Sequence, residues 1–118
     1  QPHLYSRTQL FAGEFAQALR AADEVAVLEI YPAREQPIPG VTAELITGPL
    51  FSGEDAPGGG LLSREEAVRH VAGAAESGDL VLTLGAGDVT ALAQRSPRRS
   101  RHGISEVRSG RTPRGDAG

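Results

Sequence analysis

Residues 24–40 read EVAVLEIYPAREQPIPG, and the change of character halfway along them decides the fold class. Residues 24–30 are short, largely apolar and carry β-branched side chains, the composition of a buried strand. At Tyr31-Pro32 the run stops. Prolines at 32, 37 and 39 and a glycine at 40 then prevent regular structure, so a strand delivers its carboxyl end directly into a stiffened polar loop. The pattern recurs downstream, where DLVLTL (79–84) is expected to be a second buried strand and runs into GAGD (85–88).

Helical periodicity lies between these strands. In QLFAGEFAQALRAA (9–22), Leu10, Phe11, Phe15, Ala18, Leu19 and Ala22 fall at the offsets of one helical face, with Thr8 as the expected N-cap. In SREEAVRHVAGAAESG (63–78), Ser63 and Glu66 have the capping-box spacing, Val68, Val71, Ala72 and Ala75 form an apolar stripe, and Gly78 suits a C-terminal cap. Five prolines and six glycines between 31 and 60 predict mostly loop there, interrupted by a helical turn or two around 42–47. A weaker helical start follows at 89–93. The order helix, strand, long loop, helix, strand, helix predicts an α/β fold, a Rossmann-like and mainly parallel sheet flanked by helices, with ligands at the carboxyl ends of the strands. Two strands are few for a parallel sheet, so a further strand is expected ahead of Gln1, and the domain reads as N-terminally truncated.

Composition narrows the function classes. At 118 residues the chain is about one domain. Aromatics make up only 4% and tryptophan is absent, so the core must be built of Ala, Val, Leu and Ile. The lack of cysteine excludes disulfides, thiolate metal sites and a cysteine nucleophile. No apolar run approaches the roughly 20 residues that cross a bilayer, and the expected location is the cytoplasm, with no membrane partner. All 12 basic residues are arginine, a bias that fits GC-rich coding DNA. The net charge of −3 averages two unlike segments: residues 1–93 carry 5 Arg against 13 acids, and residues 94–118 carry 7 Arg against 2. The chain is therefore divided into a domain over 1–93 and an Arg-rich tail over 94–118, read as disordered or as the product of a frameshift. A nucleic-acid-binding arm is the alternative for such a basic run, although it has no aromatic residue for base stacking.

Three clusters carry chemistry. QPHLYSRT (1–8) supplies His3, Tyr5 and Arg7: an imidazole that can take a proton, a phenol that can orient a polar group and a guanidinium that can hold an anion. An exposed terminus would also account for them. In the proline-bounded loop, Arg34 could hold a carboxylate with two parallel hydrogen bonds, while Arg34 and Glu35 read equally as solvated charges. GAGD offers Gly85, Gly87 and Asp88 at a strand-to-helix turn, but the dinucleotide fingerprint fails at Thr90 and the chain has no lysine for a phosphate loop. No residue is singled out as catalytic or as a metal ligand.

Taken together, QPHLYSRT, IYPAREQPIPGV and LTLGAGDVTAL, in this order and at these separations, resemble the C-terminal domain of the ATP-dependent Mur ligases, within them the ligases that join L-alanine to UDP-N-acetylmuramate. The resemblance covers about residues 1–93. It implies a cytoplasmic, three-domain peptidoglycan-synthesis enzyme whose absent central domain binds ATP and Mg2+, and whose absent N-terminal domain binds the UDP-sugar. Such an enzyme turns a carboxylate into an acyl phosphate, which the amino group of L-alanine attacks. By the same resemblance, His3 and Arg7 would contact the acceptor substrate and the amino acid, and Tyr31, Arg34 and Glu35 would face the reacting centre. Arg34 is then a candidate for the amino acid's carboxylate, and Gly85, Gly87 and Asp88 would close the nucleotide side. Leu4 stands where family members often carry arginine. Another amino-acid-adding Mur ligase, or a stand-alone module binding a small molecule or nucleic acid, are the alternatives, and the chain alone is expected to be inactive.

Overall fold

A computed structural model describes residues 1–86, 89, 91 and 92. The elements in chain order are helix α1 (Tyr5–Leu19), strand β1 (Glu24–Val27), helix α2 (Glu44–Leu50), strand β2 (Gly58–Leu61) and helix α3 (Arg64–Ala74). β1 and β2 pair in parallel, in register from Glu24 opposite Gly58 to Val27 opposite Leu61. The α/β class follows from this alternation.

β1 forms where the apolar run demands it, and its two faces have separate partners. Val25 and Val27 join Ala12 and Ala16 of α1 and Ile46 and Leu50 of α2 in one buried cluster. Leu28, just past the strand, joins Ala67 of α3, Val89 and Leu92 in another. Cover on both faces is what a strand of a parallel sheet requires. No helix among the described residues is long and apolar enough to cross a membrane.

Several local expectations need correction. α1 begins at Tyr5 rather than after Thr8, and Thr8 is no cap: its hydroxyl donates 2.8 Å back to the Leu4 carbonyl, inside the helix and fully buried. The buried stripe is Thr8, Ala12 and Ala16, with Leu10, Phe11 and Phe15 exposed. Small side chains at Ala12 and Ala16 let α1 approach α2 and the sheet closely, which the bulkier stripe would not allow. α3 does start at Ser63, whose hydroxyl accepts the Glu66 amide at 3.2 Å, but it ends at Ala74, and Gly78 lies in the following turn with φ +98°.

Residues 79–84, expected as a buried strand, form no ladder among the described residues. Leu80, Leu82 and Leu84 are 61, 48 and 51% exposed along one side, while Val81 and Thr83 are half-buried. Conversely, β2 lies at the end of the stretch whose prolines and glycines predict loop. Its sequence GGGL has no side-chain pattern to announce a strand, and Gly59 adopts φ +112° against β1. The tail over 94–118 lies outside the described residues.

Two side chains fasten the layers. Arg20, the residue after α1, donates through Nη1 to the carbonyls of Pro49, Leu50 and Ser52 at 3.1, 3.2 and 3.0 Å. A cation on the free carbonyls at the end of α2 is favoured by the helix dipole. On the other face, His70 of α3 meets Glu24 at the start of β1, with Nε2 3.0 Å from Oε2.

Candidate functional site

The opening segment and the proline-bounded loop meet. Tyr31 donates its amide to the Pro2 carbonyl at 2.8 Å, and Leu4 donates its own to the Tyr31 carbonyl at 2.9 Å, a short parallel bridge that sets His3 opposite Tyr31. The His3 and Tyr31 rings stack with centroids 5.9 Å apart and 20° between planes. Four residues beyond β1, this contact stands at the carboxyl end of the sheet, where α/β folds gather their ligands.

The start of α1 is the second junction. Helices leave their first amides without internal partners, and a local Ser, Thr, Asp or Asn usually answers them. Here Leu4 precedes the helix and no side chain of its own segment caps it. Glu35 supplies the acceptor from the other loop: Oε1 takes the Ser6 amide at 3.1 Å and Oε2 takes the Ser6 hydroxyl. The loop reaches back through a tight turn in which the Glu35 amide donates 2.9 Å to the Pro32 carbonyl. Ser6 was not singled out from sequence, because its role depends on a carboxylate 29 residues away.

These contacts hold the Glu35 carboxyl below its ordinary value. The Ser6 hydroxyl contributes most, then the Ser6 amide, with the Tyr5 amide and the His3 ring adding to them. A carboxyl whose folded pKa is lowered contributes stability above its unfolded value of about 4.3, and the contribution is lost as pH falls through the folded value. The stability advantage of the wild type over Glu35→Gln, followed by thermal denaturation, is therefore expected to shrink between about pH 5 and pH 3. A gap constant across that range would mean that the carboxylate charge is not involved.

The other expected contacts divide. Tyr5 is half-buried at the first position of α1, whereas Arg7 and Arg34 are exposed and make no hydrogen bond or ion pair among the described residues. Both guanidiniums are thus open to solvent, on the two segments that the His3–Tyr31 contact joins. Gly85 packs against the opening segment: a Cβ there would come within 3.0 Å of the Gln1 carbonyl and 2.7 Å of the Val89 side chain. Gly87 and Asp88 lie outside the described residues.

A cleft of about 380 Å³ adjoins the same segment, at the carboxyl ends of β1 and β2 and the start of α3. Gln1, Leu28, Glu29, Leu62, Ser63 and Arg64 are among its lining residues. Gln1 spans it, with Nε2 donating to the Glu29 carbonyl at 3.1 Å and Oε1 accepting from Arg64 Nη2 at 3.2 Å. Its amino group donates 2.7 Å to the Leu84 carbonyl. Among the described residues no group of three or more His, Asp or Glu side chains gathers that could hold a metal ion. With no lysine in the sequence for a phosphate loop, these residues do not fit a magnesium–triphosphate site.

No family model matches the chain. Among curated proteins it is 59% identical over 91 residues to the UDP-N-acetylmuramate–L-alanine ligase of Paenarthrobacter aurescens strain TC1, covering 77% of this chain and 19% of that protein. The same-named ligase of Thermobifida fusca strain YX is 58% identical over 99 residues, covering 80% and 20%, and that of Streptomyces coelicolor is 53% identical over 96 residues, with the same two shares. The chain thus spans about a fifth of the length of the curated relatives it matches.

Proposed function

From identities of 50–59% over about four-fifths of its length, we infer that this chain is a portion of a UDP-N-acetylmuramate–L-alanine ligase of the ATP-dependent Mur ligase family. We propose that residues 1–93 are its amino-acid-side domain and that residues 94–118 are a separate tail. Acting in the cytoplasm, the whole enzyme joins L-alanine to UDP-N-acetylmuramate for peptidoglycan synthesis, with ATP and Mg2+ held by parts of the ligase outside this chain.

The observation that carries the reading is the meeting of QPHLYSRT with YPARE at the carboxyl end of β1. The chemistry needs such a place. A carboxylate becomes a useful electrophile only once its oxygen is made a leaving group, and the activated acyl group must then meet an amine before it meets water. Arg34 and Arg7, exposed and respectively three residues after Tyr31 and four after His3 in the chain, suit the carboxylate of the incoming amino acid, which leaves its amino group to point at the acyl carbon. Gly85, Gly87 and Asp88 are proposed to close the nucleotide side.

Residues 1–92 grafted in place of the matching fifth of the Thermobifida fusca ligase test this. The chimera is expected to add L-alanine to UDP-N-acetylmuramate with ATP, and His3→Ala or Arg7→Ala is expected to lower kcat about a hundredfold with folding retained. The chain by itself is expected to show no turnover. A chimera that folds and binds ATP yet never transfers L-alanine would overturn the reading.

A further inference from the structure

The two loops of the candidate site are joined at two anchors, and the chain between them closes a ring. One anchor is the Leu4 amide on the Tyr31 carbonyl; the other is Ser6 on the Glu35 carboxylate. One arm of the ring runs from Leu4 to Ser6 and the other from Tyr31 to Glu35. Each arm contains a non-glycine residue at positive φ: Leu4 at +68° and Ala33 at +52°. These are the only two among the described residues. Such conformations are sterically costly for residues with a Cβ, and they persist where surrounding contacts over-determine the backbone.

We propose that Glu35 is a positioning residue: acting through Ser6, it clamps the far loop to the start of α1 and so fixes where His3 and Arg7 stand against Tyr31 and Arg34. Both oxygens of Glu35 are engaged by Ser6, which distinguishes it from a group waiting for substrate. The first anchor, with the Tyr31 amide on the Pro2 carbonyl beside it, ties the loops at Tyr31. The second ties them again four residues further along the loop, at Glu35, and ends on helix α1. The carboxylate also sits at the positive end of the α1 dipole, so the contact that locks the loops is the one that starts the helix. Ser6 thereby becomes part of the site without facing it. Only the purpose of the clamp rests on the ligase reading; the clamp itself can be tested in the ligand-free chain.

Nuclear magnetic resonance on Glu35→Ala, Glu35→Gln and Ser6→Ala distinguishes the outcomes. Glu35→Ala is expected to raise amide hydrogen exchange at Ser6 about tenfold and to remove the ring-current displacement of the His3 protons by Tyr31, with helix content retained. Glu35→Gln keeps an amide oxygen for the Ser6 amide and is expected to restore much of the His3 signature. Ser6→Ala, which removes the hydroxyl anchor alone, is expected to move His3 in the same direction as Glu35→Ala. His3 signals and Ser6 exchange unchanged in both alanine variants would overturn the clamp. If Glu35→Ala does not fold, Ser6→Ala and Glu35→Gln decide the matter by the same two signals. An intact clamp in this chain together with an inert chimera would count against the ligase reading and leave the clamp standing.

Discussion

Alanine at Gly59 is expected to shift the unfolding transition of this chain to far lower denaturant. Gly59 holds φ +112°, a conformation that costs a residue with a Cβ about 1–3 kcal/mol. The larger cost is steric. A Cβ at this position would drive into the carbonyl oxygen of Val25, its partner across the two-stranded ladder. Backbone on the facing strand cannot rotate away as a side chain can, so β2 must separate from β1. Val25 and Val27 would then lose the register that presents them to α1 and α2. The sum should exceed about 4 kcal/mol, against a total of about 5–15 kcal/mol for ordinary domains. Gly60→Ala provides the control, since nothing lies within 4 Å of a Cβ built there, and its cost should stay within about 1 kcal/mol. Urea denaturation followed by circular dichroism compares the two. A sigmoidal transition for Gly59→Ala with a midpoint near the wild type would show that the strands are not so close.

Leu50→Ala should be the next most damaging change, at about 2–5 kcal/mol. Leu50 is 0% exposed, at the end of α2, in the cluster with Ala43, Ile46 and the two β1 valines. Where a site can collapse around a lost side chain, the cost falls to the low end of that range. Here it cannot easily do so. Arg20 grips the carbonyls of Pro49, Leu50 and Ser52, which fixes the end of α2 against α1 and keeps the cavity open. The upper half of the range is therefore expected. Leu45, 39% exposed on the same helix, gives the comparison: Leu45→Ala should cost less than about 1 kcal/mol in the same denaturation experiment.

What the sequence disclosed of this fold depended on whether the cause of each feature was local. EVAVLEI announces β1 because burial on both faces needs a continuous apolar run, and Ser63 announces α3 because its cap lies within one turn. The start of α1 was misplaced because its cap is Glu35, 29 residues further on, and no window around Thr8 contains it. The buried face of α1 was misjudged for a related reason. Two apolar stripes compete on that helix, and the close approach of α2 selects the one with small side chains. β2 was invisible because glycines carry no periodicity; their place in a strand is dictated by the neighbour's backbone. At the candidate site, the sequence marks two polar clusters, and the bridge of His3 to Tyr31 brings them together. Ser6 was not legible, since it does not cap the helix but gives its amide and hydroxyl to a carboxylate 29 residues away.

The leucines at 80, 82 and 84 have a consequence for how the molecule behaves in bulk. Three large apolar side chains stand in line on one side of an extended segment, each about half exposed or more. Such a row is the template on which like chains associate, edge against edge. Among the described residues this line adds to the apolar surface that Leu10, Phe11 and Phe15 expose on α1, and a charged side chain at Leu82, the middle of the line, is expected to raise the solubility limit.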